Sequence, residues 1–202
     1  MSDNGRIRAA LPEELKPESG DWAFVDLGFS SNSKSCGLLL GDRPATSLKF
    51  SELAAILCEE VRKYGPTLYL VLEAPLSVAF NKDGNPTGRS VEKRGSQHRY
   101  WYVGLGCSVL VAATYLLRSL VEAEPRRDVR LVEGLVSFKQ KGQASNHEED
   151  VEALKRVIWE PESEAGAIVP PDGLRQHPSH TLGSAFKVAG MDLGTPPVIN
   201  CH

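Results

Sequence analysis

Scarcity narrows this chain before its motifs do. Its four cysteines (Cys36, Cys58, Cys107 and Cys201) lie far apart, with no CxxC pair and no Cys/His metal spacing. That argues against a zinc module and favours reduced thiols, and hence a cytoplasmic location, over a disulfide framework. Charge of one sign is equally scarce. A formal net charge of −3 argues against wholesale coating of nucleic acid, so any such binding must use a local patch. Residues 1–20 lack an apolar core of signal-peptide type and read as a flexible polar leader. No internal repeat or low-complexity block occurs, and no Ser, His or Cys nucleophile stands out.

Long uncharged runs are rare too. The stretch 100–117 (YWYVGLGCSVLVAATYLL), bracketed by Arg99 and Arg118, just reaches the length of a membrane-span candidate. Gly104, Gly106, Ser108, Thr114 and two interior tyrosines keep its hydrophobicity moderate, and no second such run exists. It reads as a helix buried against a sheet, with small residues permitting close approach. No membrane partner is expected.

What is present suits one domain with appendages: 202 residues of ordinary globular composition, long enough to bury a real core. Strands are expected at 22–27, 35–41, 46–50, 67–73 and 129–138, and helices at 51–64, 98–121 and 147–159. Ser51 reads as the N-cap of the first helix, and Gly65-Pro66 stops it. The core domain then covers 21–160. Residues 161–202 form a Pro/Gly-rich C-terminal extension with a short helix near 182–189. Short links permit antiparallel pairing of the first three strands, while the later helices are long enough for parallel crossovers. The fold class is α/β, a mixed sheet with helices on its faces.

The stretch 22–41 (WAFVDLGFSSNSKSCGLLLG) organises the chain. Its first strand carries a carboxylate, Asp26, inside an apolar run, which is costly unless paired, hydrogen-bonded or bound to a cation. A second apolar strand, TLYLVLE, also ends on an acid, Glu73. The third candidate acid lies in HEEDVEAL. Val151, Leu154 and Ile158 share one helical face, Asp150 flanks it, and Glu149 and Glu152 point largely away. Asn146 followed by Glu149 has capping-box spacing, so Glu149 has a structural use of its own. Asp150 is therefore the choice, with Glu149 and Glu152 as alternatives. His147 reads as a partly exposed helix-start histidine that can also serve as proton donor or phosphate contact.

The order of elements, with FVDLGFS, LVLEAPLS and HEEDVEAL in turn, resembles the RNase H-like superfamily, and within it RuvC-type and predicted RNase H-like nucleases. The resemblance spans residues 22–159 and implies an RNase H-like mixed five-stranded sheet flanked by helices. It further implies that the first and fourth strands are parallel neighbours, setting Asp26 beside Glu73. Members bind two divalent cations between such carboxylates and hydrolyse phosphodiester bonds. Asp26, Glu73 and Asp150 are accordingly expected as metal-binding and catalytic residues for Mg²⁺ or Mn²⁺. Such hard cations take oxygen ligands.

The loop 79–99 carries Lys82, Arg89, Lys93, Arg94 and Arg99 against Asp83 and Glu92, a local positive excess directly after Glu73. Lys82, Arg89, Lys93 and Arg94 are expected to hold the phosphates of a nucleic acid, DNA or RNA. Two other readings stay open. One is a non-catalytic interaction module of the same fold. The other is an ATP-binding protein of the actin/sugar-kinase type, whose first phosphate turn DLGFSSNSKSCG resembles, although such proteins normally duplicate the core. A homodimer is left open.

Overall fold

The first element described is a strand where a loose segment was expected. In the computed structural model, which describes residues 5–28, 34–136, 138, 146–162 and 166–201, Ile7–Ala9 (β1) is hydrogen-bonded in parallel to a strand from the middle of the sequence. Ile7, Ala10 and Leu15 are buried, which is why residues 5–20 are not the flexible leader expected. The elements that follow are Asp21–Leu27 (β2), Cys36–Leu40 (β3), Thr46–Leu48 (β4), Phe50–Arg62 (α1) and Leu68–Glu73 (β5). Next come Ser77–Phe80 (β6), Pro86–Thr87 (β7), Lys93–Arg94 (β8), Gln97–His98 (β9) and Leu105–Glu122 (α2). Val129–Leu135 (β10), His147–Trp159 (α3), Ile168–Val169 (β11), Thr181–Ser184 (β12) and Val198–Asn200 (β13) complete the order.

The main sheet is mixed and eight-stranded, in the order β11-β13-β10-β5-β2-β3-β4 with β1 also on β10. β2, β5 and β10 run parallel, while β3 and β4 pair antiparallel off β2, as the short and long connections dictate. The sheet therefore exceeds the five strands expected. β1 pairs with residues 129–131 of β10 and β13 with residues 133–135, so the two ends of the chain share the outer edge of one strand. The region 161–202 is thus not an appendage to the core. Two of its strands extend the main sheet, and β12 closes a second, three-stranded sheet with β6 and β7. Where a short helix was expected near 182–189, β12 runs into a 3-10 turn, Ala185–Ala189.

Strand alternation assigns the faces. Ala23, Val25, Leu27, Leu68, Leu70 and Leu72 lie under α1 and α2, packed on Leu53, Leu57, Val61, Ala113, Leu116, Leu117 and Leu120. Trp22, Phe24, Tyr69 and Val71 face α3 and meet Val151, Leu154, Val157 and Ile158. Asp26 and Glu73 follow Phe24 and Val71 at the same two-residue period, which turns both carboxylates toward α3.

Two helix starts differ from expectation. α1 begins at Phe50, with the Glu52 carboxylate accepting the Lys49 amide at 3.0 Å, so Ser51 is inside the helix rather than its cap. α2 begins at Leu105, seven residues later than expected, after Gly104 with φ of 56°. The preceding residues are held elsewhere: the Trp101 amide donates to Glu92 at 3.0 Å and its indole to the Thr87 carbonyl at 3.0 Å. α2 is apolar and long enough to cross a membrane by length and composition, and about a third of it is buried. Its buried side seats on α1 and the sheet, with Arg62 donating to the Ala123 carbonyl at 3.1 Å. That seating is compatible with a soluble protein.

Candidate metal centre

β2 and β5 are in parallel register with Asp26 opposite Glu73, each at or next to the C-terminal end of its strand. α3 crosses above that end and supplies Asp150. One carboxylate oxygen from each of Asp26, Glu73 and Asp150 lies within 4.8 Å of the others. Asp26 and Asp150 are 6% and 5% exposed, while Glu149 and Glu152 face solvent. Helix geometry explains the choice, because Asp150 shares the buried face of Val151, Leu154 and Ile158. The helix start is capped by Asn146, whose side chain accepts the Glu148 amide at 3.1 Å, and Glu148 is tied to Ser47 of β4 at 3.0 Å. The capping contact thus involves Glu148, not the Glu149 of the expected capping box.

His147 has a larger part than its sequence position suggested. Its Nδ1 is hydrogen-bonded to Asp26 Oδ2 at 2.5 Å. Two glycines make that approach possible. Gly37, opposite Asp26 in the β2–β3 register, lies so close under the helix start that a Cβ there would meet the His147 carbonyl at 2.4 Å. Gly134 of β10 does the same for Leu154, whose methyls would lie 2.8 and 3.0 Å from an added Cβ. The far end of α3 is fixed by aromatics: Trp159 stands edge-on to Trp22 and Phe24, with Tyr69 stacked on Trp22 at 4.7 Å. Glu73 is oriented from the other side, Oε1 accepting the Val136 amide at 3.2 Å.

Burial pushes the Asp26 carboxyl above its ordinary range, the hydrogen bond and charge of His147 pull it down, and Asp150 adds to the rise. Three carboxylates gathered this closely favour a cation among them. The donors are all oxygen, the set that Mg²⁺ or Mn²⁺ takes, and a softer ion would find neither thiolate nor a cluster of imidazoles. The residues present therefore fit a hard divalent ion.

The four residues assigned to phosphate fare differently. Lys93 and Arg94 form the exposed strand β8, paired with β9. Lys82 is exposed in the β6–β7 turn beside Asp83 at 3.5 Å. Arg89 is not a surface residue at all: it is 1% exposed. Its guanidinium donates to Glu133 twice at 2.7 Å, to Glu92 at 2.9 and 3.1 Å, and to Ser77 at 2.8 Å. Burial works against its charge, but the two carboxylates outweigh that and hold it firmly protonated. With its donors committed inside the fold, Arg89 is withdrawn as a phosphate contact. Glu133 was legible by the argument that selected Asp26, since it too is an acid inside an apolar strand.

Residues 139–145, between the fifth expected strand and the third expected helix, and residues 29–33 of the phosphate-turn candidate DLGFSSNSKSCG lie outside the described residues. Compared with family models, curated proteins and solved structures, the chain matches none.

Proposed function

We propose that this protein is a metal-dependent nuclease of RNase H-like type that hydrolyses phosphodiester bonds at Asp26, Glu73 and Asp150. The observation that carries the reading is the meeting of three acids from three separated segments at the end of a parallel strand pair. Asp26 and Glu73 stand in register, and Asp150 completes an all-oxygen set within 4.8 Å. The parallel pairing of the first and fourth predicted strands, with antiparallel pairing of the first three, supports the resemblance behind it. Asp26, Glu73 and Asp150 would hold Mg²⁺ or Mn²⁺, which would supply stabilisation of the charge that develops in phosphodiester hydrolysis. The chain's part is to hold the carboxylates at fixed spacing, with Val136 N–H orienting Glu73 and His147 orienting Asp26. His147 is also placed to exchange a proton at Asp26 Oδ2. Exposed Lys93 and Arg94 serve the phosphates. All four cysteines are thiols rather than disulfides, which suits a cytoplasmic enzyme.

The interaction-module reading keeps one observation in its favour. His147 already holds an Asp26 oxygen in a hydrogen bond, so that carboxylate has a partner without any ion. The ATP-binding reading loses ground because residues 166–201 extend the existing sheet instead of starting a second core. Calorimetric titration of Mn²⁺ into wild type and Asp26→Asn separates the first two. We expect saturable heat in the wild type, absent from the variant, together with Mn²⁺-dependent cutting of labelled strands. Equal, negligible heats would reject the nuclease and leave the module.

A further inference from the structure

The basic loop does more than carry charge, because its rings are ordered. Arg89, buried between Glu92 and Glu133, pins the loop to β10. Glu133 also accepts the Leu76 amide at 2.8 Å, three residues after Glu73. From that anchor the exposed β8–β9 hairpin leads into a run of rings. Trp101 turns inward against Phe80, with ring centroids 5.8 Å apart. Tyr100 and Tyr102 stack on each other, 5.5 Å apart and 7° from parallel, and Trp101 meets Tyr102 edge-on at 5.2 Å. His98 lies next to them, 5.0 Å from Tyr100 and tilted by 46°. Tyr100 is seated on Gly88, where an added Cβ would meet its ring at 2.3 Å, so the row has a fixed floor.

Arg99, between His98 and Tyr100, reaches the segment that orients Glu73. Arg99 sits over the ring of Phe138 at 5.9 Å, and Phe138 is two residues beyond Val136, whose amide holds Glu73. Lys93, Arg94, His98 and Arg99 are all exposed around these rings, and Tyr102 is 36% exposed. Stacked aromatics interleaved with cations are what successive unpaired bases bind, since every base has a face to stack, whereas a duplex hides those faces. Protein interfaces also concentrate tyrosine and arginine, but their centres are depleted of charge as a whole, whereas Lys93, Arg94 and Arg99 are gathered at this hairpin.

We propose that His98, Tyr100 and Tyr102 form a base-stacking platform, with Lys93, Arg94 and Arg99 on the phosphates, that delivers an unpaired nucleic-acid strand to the Asp26–Glu73–Asp150 centre. This rests on the nuclease reading and narrows its substrate to single-stranded DNA or RNA, or an unpaired segment within a duplex. The anchor explains why Arg89 is spent inside: a stacking surface must be rigid to act, and a buried bidentate pair holds the loop's backbone in place.

Fluorescence anisotropy with labelled twelve-nucleotide DNA and RNA strands, their duplexes, and an abasic strand of the same length tests this, with Ca²⁺ present to suppress cutting. Single strands should bind best, the abasic strand roughly ten- to hundredfold more weakly. Combined Tyr100→Ala and Tyr102→Ala should weaken the normal strand by a similar factor, leave the salt slope unchanged, and be rescued by Phe at both positions. Lys93→Ala with Arg94→Ala should instead lower the slope by about one to two units. Duplex or abasic strand bound as tightly as the normal strand would overturn the platform, as would wild-type affinity in the double Ala variant. Binding of no strand at all would overturn it too. Mn²⁺ heats from the same preparations then report separately on whether the metal centre stands.

Discussion

Asp150 and Glu149 sit side by side in sequence and do opposite things. Asp150 lies within 4.8 Å of two other carboxylates, where like charges repel and a cation would relieve the repulsion, whereas Glu149 faces water. Asp150→Asn should therefore stabilise the metal-free protein by about 1 kcal/mol, a rise of roughly 2–4 °C in Tm for a chain this size. It should also abolish the Tm increase produced by Mn²⁺. Glu149→Gln should leave the Mn²⁺ response intact and change Tm by less than about 2 °C, as surface changes usually do. Differential scanning fluorimetry in EDTA and in Mn²⁺ reads both. A metal-free Tm that falls in Asp150→Asn would mean that the acid serves structure. Asp26 adds a pH signature. Burial holds its carboxyl above the ordinary range, so the protonated form stabilises the metal-free fold below that range and the benefit is lost as pH rises through the raised value.

Two elements do the positioning, and both are governed by close approach. α3 comes down onto the sheet because Gly37 and Gly134 have no side chains to hold it off. The loop between β5 and α2 is fixed because Arg89 crosses it to Glu133. That second device is the more fragile. Removing the guanidinium leaves two carboxylates, each 1% exposed, without their cation. Arg89→Ala should cost about 3–5 kcal/mol, since breaking a buried pair costs far more than an exposed one. Urea denaturation measures it. Arg94→Ala, on the exposed strand next door, should move the midpoint by less than about 0.5 kcal/mol. Similar costs for the two would show that the buried network is not what holds the loop.

For the molecule as a whole, the notable arrangement is that β1 and β13, from opposite ends of the chain, lie end to end along β10. β10 in turn backs β5, which carries Glu73. Loss of either end uncovers part of an apolar central strand and leaves its amides and carbonyls unpaired. A chain ending at Gly194 should accordingly lose several degrees of Tm and aggregate at concentrations where the full chain is monodisperse. Hydrogen exchange in that truncation should quicken first at residues 133–136, followed by Glu73's strand. Unchanged protection at β10 would show that β13 is dispensable to the sheet.

Local pattern determined a good deal by itself. The apolar runs at 22–27, 67–73 and 129–138 (the last ending as a strand at Leu135), the helical period of 147–159 and the acids at Asp26, Glu73 and Asp150 are legible because alternation and the 3.6-residue period are properties of neighbours in the chain. Where those patterns stopped, so did the reading. No periodicity announces that Ile7–Ala9 or Val198–Asn200 will find β10, since three-residue strands carry too few positions to alternate. Nothing local distinguishes Arg89, spent on Glu133, from Arg94, left in water. That difference is set by a partner forty-four residues away, and burial of a charge is worth its cost only where the fold brings its counter-charge. His147 on Asp26 is a contact of the same kind. Tertiary structure alone decided which charges meet.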